Sequence, residues 1–224
     1  IEPETPVVIG ANKITHFHHN YPIPAYLICM AVTDYTVYTQ SAGTAPNTYP
    51  IVNYIYPENF TTSVQNDLNQ TPLILNFYSD LLELYPFHNE KYGHAQFGWG
   101  GGMEHTTVSF MNNFERSLIA HEMAHQWFGD KITCGTWKDI WLNEGFATYF
   151  ASLVIEQFDG NAAFITDKTN MINSITSQTT GAVYLTDVEA TNVNRIFSTR
   201  LTYNKGAMVL NMLRLKLGDT AFFQ

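Results

Sequence analysis

The chain has 224 residues, 45% of them hydrophobic and only 14% charged, with a formal net charge of −9. That size and apolar content suit one medium globular domain, or one and a part, with a real core, and exclude a disordered chain. The acidic balance argues against a nucleic-acid partner, whose phosphates it would repel.

From the amino terminus to about residue 40 the chain is expected to form strands. Pro22, Ile23 and Pro24 punctuate it, and Ala25 to Thr39 is rich in β-branched and aromatic residues. Within that run Tyr26 to Val32 is strand-sized, too short to span a bilayer, and no longer apolar run occurs elsewhere. Cys29 is expected there as a small core residue; with Cys134 it makes too few cysteines for a disulfide framework. His16 and His18 share one strand face but have no third ligand nearby, so they are read as exposed strand histidines. Residues 41–50, with Gly, Pro, Asn and Thr, make the best linker. After an extended piece at 51–57, residues 59–84 are expected to be helical, with Thr71 as a cap and Pro72 in the first turn. Phe87 to Met111 then reads as strand and loop, with Gly98, Gly100, Gly101 and Gly102 clustered before Met103.

The next segment carries the strongest chemical signal. His121-Glu122-Met123-Ala124-His125 places two histidines at i and i+4, on one face of a helix, where both imidazoles can reach one ion. Apolar residues at 118, 119, 123 and 127 give that helix a buried stripe, and Gly129-Asp130 is expected to end it. Glu144 follows after 18 intervening residues, enough to finish one helix, turn and begin a second over Asp139 to Phe158. His121, His125 and Glu144 therefore supply three zinc ligands and leave one position open for water. Glu122, about 100° around the helix from His121, can sit beside that water and serve as general base. Trp127, Trp137 and Trp141 are expected as core between the two helices. Residues 161–190 read as polar and irregular with some helix, and Lys205 to Leu217 as a final amphipathic helix.

Those residues carry a family resemblance. The segments from His121 to Asp130 and from Trp141 to Phe150 resemble the zinc aminopeptidases of the membrane-alanyl-aminopeptidase type, a gluzincin family. So do Gly101-Gly102-Met103-Glu104-His105 upstream and Tyr203-Asn204-Lys205-Gly206-Ala207 downstream. The resemblance implies a thermolysin-like α+β domain over 41–224, preceded over 1–40 by the last strands of an amino-terminal β domain. Its small mixed sheet would present Gly101, Gly102, Met103 and Glu104 on a substrate-facing edge, packed on a mainly helical layer that holds one Zn2+. Glu104 would pair with the free α-ammonium of a peptide, and the glycines would let the substrate backbone lie close. Tyr203 would donate a hydrogen bond to the developing oxyanion. His105 departs from the family's Gly-x-Met-Glu-Asn pattern, in which Asn stands at that position. Family members are longer, which makes an excised piece, partnered by the remaining domains of a parent chain, the expectation. A non-catalytic peptide-binding module and a zinc hydrolase of another small substrate are the alternatives. Abundant Asn, Thr and Tyr with few Lys suggest an exported bacterial protein, with a cytoplasmic one as the other option.

Overall fold

Two short antiparallel ribbons open the computed structural model, which describes residues 2–224: β1 (Glu2–Pro3) pairs with β4 (Phe17–His18), and β2 (Val7–Ile9) with β3 (Asn12–Ile14). The long strand expected from Ala25 does not form. Ala25–Leu27 is a single 3-10 turn, and residues 28–35 are irregular. Ile28, Met30 and Val32 are exposed there, and Cys29 is exposed too, not a core residue. β-branched composition is not enough without a partner strand or covering layer, because strand preference is largely packing against neighbours.

Regular sheet starts at Thr36. β5 (Thr36–Ala42) and β6 (Tyr49–Ile55) form an antiparallel hairpin in register from Thr36 opposite Ile55 to Ala42 opposite Tyr49. Residues 43–48 are thus the turn of that hairpin and not a linker, and a boundary between 40 and 41 would cut through β5. From β6 the chain crosses over to the parallel strand β7 (Tyr92–Gln96) through α1 (Thr62–Leu68) and α2 (Thr71–Leu81), the helical connection that parallel pairing requires. Thr61, not Thr71, is a side-chain cap, accepting from the Val64 N–H at 3.3 Å; Thr71 is the buried first residue of α2, with Pro72 in the first turn as expected. β9 (Ser109–Met111) runs parallel to β7, and β8 (Gly102–Met103) lies antiparallel outside β9, giving the order β5-β6-β7-β9-β8. The segment Gly102–Met103 therefore forms an edge, as the family resemblance implies.

The helical layer comprises α3 (Arg116–Ala124), α4 (Trp141–Asp159), α5 (Asn161–Thr176), α6 (Val193–Ile196), α7 (Gly206–Leu217) and α8 (Asp219–Phe222). A π-helical stretch, Thr199–Lys205, joins α6 to α7. Helix α5 occupies much of a region expected to be irregular; only Phe164 and Met171 of it are buried, so its apolar stripe is thin. Between sheet and helices Tyr78, Tyr85, Tyr92 and Trp127 pack edge-on with ring centroids 5.8–5.9 Å apart. The Tyr78 hydroxyl donates to the Ala120 carbonyl at 3.0 Å, tying α2 to α3. The chain is thus α+β, a small mixed sheet against a mainly helical layer.

Candidate active site

Helix α3 buries Ile119, Ala120, Met123 and Ala124, which turns its opposite face, with His121, toward a cavity of about 220 Å³. The helix ends at Ala124, earlier than Gly129, and His125 is its C-cap with αR backbone. Ligand spacing survives because the capping residue keeps helical dihedrals. From α4, Glu144 in the first turn reaches back to the same point.

Three side-chain atoms converge there. The Nε2 atoms of His121 and His125 lie 3.2 Å apart, and each is 3.3 Å from Glu144 Oε2. Tetrahedral ligation at about 2.0–2.1 Å sets ligand atoms about 3.3 Å apart, so this triangle fits a zinc ion. His125 Nδ1 lies 3.0 Å from the Phe128 carbonyl, which can only accept, so Nδ1 carries a proton and Nε2 is the atom that would ligate a metal ion. Asp139, Asn143 and Glu115, close in sequence, do not play that supporting part. Asp139 pairs with Thr136, Asn143 accepts from the Cys134 N–H, and Glu115 precedes α3.

Electrostatics favour a cation. Glu104, Glu122 and Glu144 are buried around the cavity, and no Lys or Arg lines it among the described residues. Burial pushes the Glu122 carboxyl up to about 8; His125 opposes this, and Glu104 and Glu144 add to it. Burial alone would also raise Glu144, but His125 and His121 outweigh it and hold that carboxyl well below the usual range. Glu104, Glu122 and His125 form a second close group, beside the ligand triangle.

Backbone geometry brings the β8 edge against that group. A Cβ on Gly102 would stand 2.5 Å from Glu122 Cδ, so only glycine lets the carboxylate rest on this strand. Gly101 has φ +81°, a conformation open to glycine at little cost. Beyond Glu104 the loop is held by Gln126, just past the end of α3, whose Oε1 accepts from the Thr107 N–H at 2.9 Å and from the Tyr85 hydroxyl at 3.3 Å. Thr107 itself is held at φ +69°, an uncommon state for a β-branched residue. Met103 and Glu104 line the cavity.

Tyr203 lies on the π-helical stretch, its ring stacked on His121 with centroids 5.9 Å apart. Burial pushes its phenol up, with the charges of Glu144, Glu122 and Glu104 adding, so the hydroxyl stays protonated and can donate. Close crossing of α4 and α7 sets this position: a Cβ on Gly145 would meet Gly206 Cα at 2.9 Å. Trp127 is core, but Trp137 is 47% exposed and lines the cavity instead, with Tyr26, Ile140 and Phe197. Nothing local in sequence marks those four, which arrive from three separate segments: the 25–27 turn, the 137–140 turn and the end of α6.

Residues 102–224 match the sequence model of a family described as Peptidase family M1 domain. The chain is 29% identical to endoplasmic reticulum aminopeptidase 2 of Bos taurus, over 92% of this chain and 23% of that protein. It is 28% identical to aminopeptidase N of Oryctolagus cuniculus, over 93% of this chain and 24% of that protein. An M1 zinc metallopeptidase from Deinococcus radiodurans superposes with a TM-score of 0.86 at 28% identity, over 99% of this chain and 50% of that one. A mutant of it bound to a Tyr-Ser-Ala substrate gives a TM-score of 0.85 at 26% identity. The chain thus spans about a quarter of the length of these curated relatives and half of the solved chains.

Proposed function

The chain belongs to peptidase family M1, and on that premise we propose that it carries the catalytic centre of a zinc-dependent aminopeptidase that removes amino-terminal residues from peptides. The observation that carries this reading is the convergence of a zinc-sized ligand triangle with two further buried carboxylates, Glu122 and Glu104, on one cavity. His121, His125 and Glu144 would hold the ion. Bound zinc supplies a Lewis acid that acidifies water and polarises a carbonyl.

The chain's own residues do the rest. The Glu122 carboxylate takes a proton from the attacking water and returns it to the leaving amine. The Tyr203 hydroxyl donates to the carbonyl oxygen as negative charge develops there. Gly101, Gly102 and Met103 offer an unpaired strand edge, along which an extended peptide adds as a further strand. Glu104 pairs with the free α-ammonium and so fixes cleavage one residue from the chain end. The division we propose sets the strands before Thr36, as the end of a preceding β domain, apart from the peptidase domain that β5 opens. No described helix is long and apolar enough to cross a membrane.

Release of chromogenic amino-acid amides by the full-length, zinc-loaded protein tests the reading. Substrates blocked at the amine are expected to be poor, and Glu122→Gln is expected to keep its zinc while turnover falls about 10²–10⁴-fold. Equal cleavage of blocked and free substrates, or an active Glu122→Gln, would refute it.

A further inference from the structure

Two neighbouring residues of the β8 loop grip two neighbouring residues of the 25–27 turn. The Tyr26 hydroxyl donates to Glu104 Oε1 at 3.2 Å, and His105 Nδ1 lies 2.8 Å from the Leu27 carbonyl. A carbonyl only accepts, so His105 carries its proton on Nδ1 and donates. Leu27 is buried, and the His105 ring stands edge-on to Phe110 at 4.7 Å, so both halves of the second contact are fixed. Tyr26 also lines the cavity, its ring 6.3 Å from Trp137, and its hydroxyl is 3.5 Å from the Asn143 amide nitrogen. Tyr26 supplies the one hydrogen bond that reaches the Glu104 carboxylate among the described residues.

We infer that Tyr26 is a positioning residue for amine recognition, holding one oxygen of Glu104 so that the other faces the substrate's ammonium, and that His105 supports it by clamping the turn that carries it. The inference rests on the reading of Glu104 as the amine anchor. A buried carboxylate free to swing would meet the ammonium in several geometries; one tethered by a phenol meets it in one. Burial pushes the Tyr26 phenol up, and the charges of Glu104 and Asp130 add, so it remains a donor. The departure at position 105 also gains a physical account. The amide nitrogen of an Asn side chain sits as far from the backbone as Nδ1 of a histidine, so either residue can donate to the Leu27 carbonyl.

The test uses the full-length, zinc-loaded protein and leucine p-nitroanilide. Tyr26→Phe is expected to raise KM about tenfold with kcat within about threefold, the loss of one hydrogen bond to a charged group. Zinc content and Tm should be unchanged. In a Glu104→Ala background the same change should add nothing, whereas general damage to the fold would add its full effect. His105→Ala should raise KM in the same direction, and His105→Asn should restore it. If Glu104→Ala raises KM but Tyr26→Phe does not, or Tyr26→Phe costs as much in both backgrounds, the inference fails alone. If Glu104→Ala leaves KM unchanged, the anchor reading fails and this inference with it.

Discussion

Glycine 102 does more for the site than any charged residue near it suggests. The space a side chain would take at this position is filled by the Glu122 carboxylate, 2.5 Å from an added Cβ. Gly102→Ala should therefore displace the base, since the three atoms nearest the new methyl all belong to the Glu122 side chain and none to a ligand of the triangle. Misplacement of a catalytic group by about 1 Å typically costs about 10²-fold. The variant is expected to lose about that much kcat with full zinc content; unchanged kcat would show that Glu122 works from elsewhere. At this scale, legibility followed sequence distance. His121, Glu122, His125 and Glu144 were legible because helix periodicity alone brings two of the ligands together and a single turn brings the third. Tyr26 was not, because 78 residues separate it from Glu104. Its surroundings, from Ala25 to Val32, look like a buried strand and give no sign of a cavity wall.

Elements show a similar division. The two metal helices and α7 were each marked by apolar periodicity, which local burial then satisfies, and α2 by the proline in its first turn. The strand expected across 25–39 forms only from Thr36; before it Ile28, Met30 and Val32 stay exposed, with no partner strand beside them. The short edge β8 exists only through pairing with β9, a contact no local pattern announces. The central strand also carries a pH-sensitive group. His94 on β7 is fully buried, its Nδ1 2.8 Å from Asn53 Oδ1, and burial pushes its pKa from 6.5 down to about 3. The folded state keeps this ring neutral where the unfolded chain protonates it. Its contribution is thus complete above about pH 6.5 and is lost as pH falls toward 3, about 4–5 kcal/mol over that window. Unfolding by urea at pH 7.5 and pH 5 should show the parent losing more stability on acidification than His94→Gln. Parallel losses would mean that His94 is protonated in the folded protein.

Across the whole molecule, sheet and helical layer act as two halves of a clamp on one cavity. The sheet contributes its edge and Glu104; α3, α4 and the π-helical stretch contribute His121, Glu122, His125, Glu144 and Tyr203. Three buried carboxylates there face no lysine or arginine in the lining among the described residues, an arrangement that leaves negative charge poorly compensated unless a cation joins it. Architecture was legible to the level of a small mixed sheet on helices because the motif order implied it. The hairpin that opens the sheet was not, since its Gly- and Pro-containing turn has the composition of a linker. The central claim is that one zinc ion is held by the helical half, through His121, His125 and Glu144, and anomalous diffraction at the zinc edge from metal-replete crystals addresses it most directly. A single strong peak about 2.0–2.2 Å from His121 Nε2, His125 Nε2 and a Glu144 oxygen is the expected result. A peak away from that triangle, or none, would contradict it.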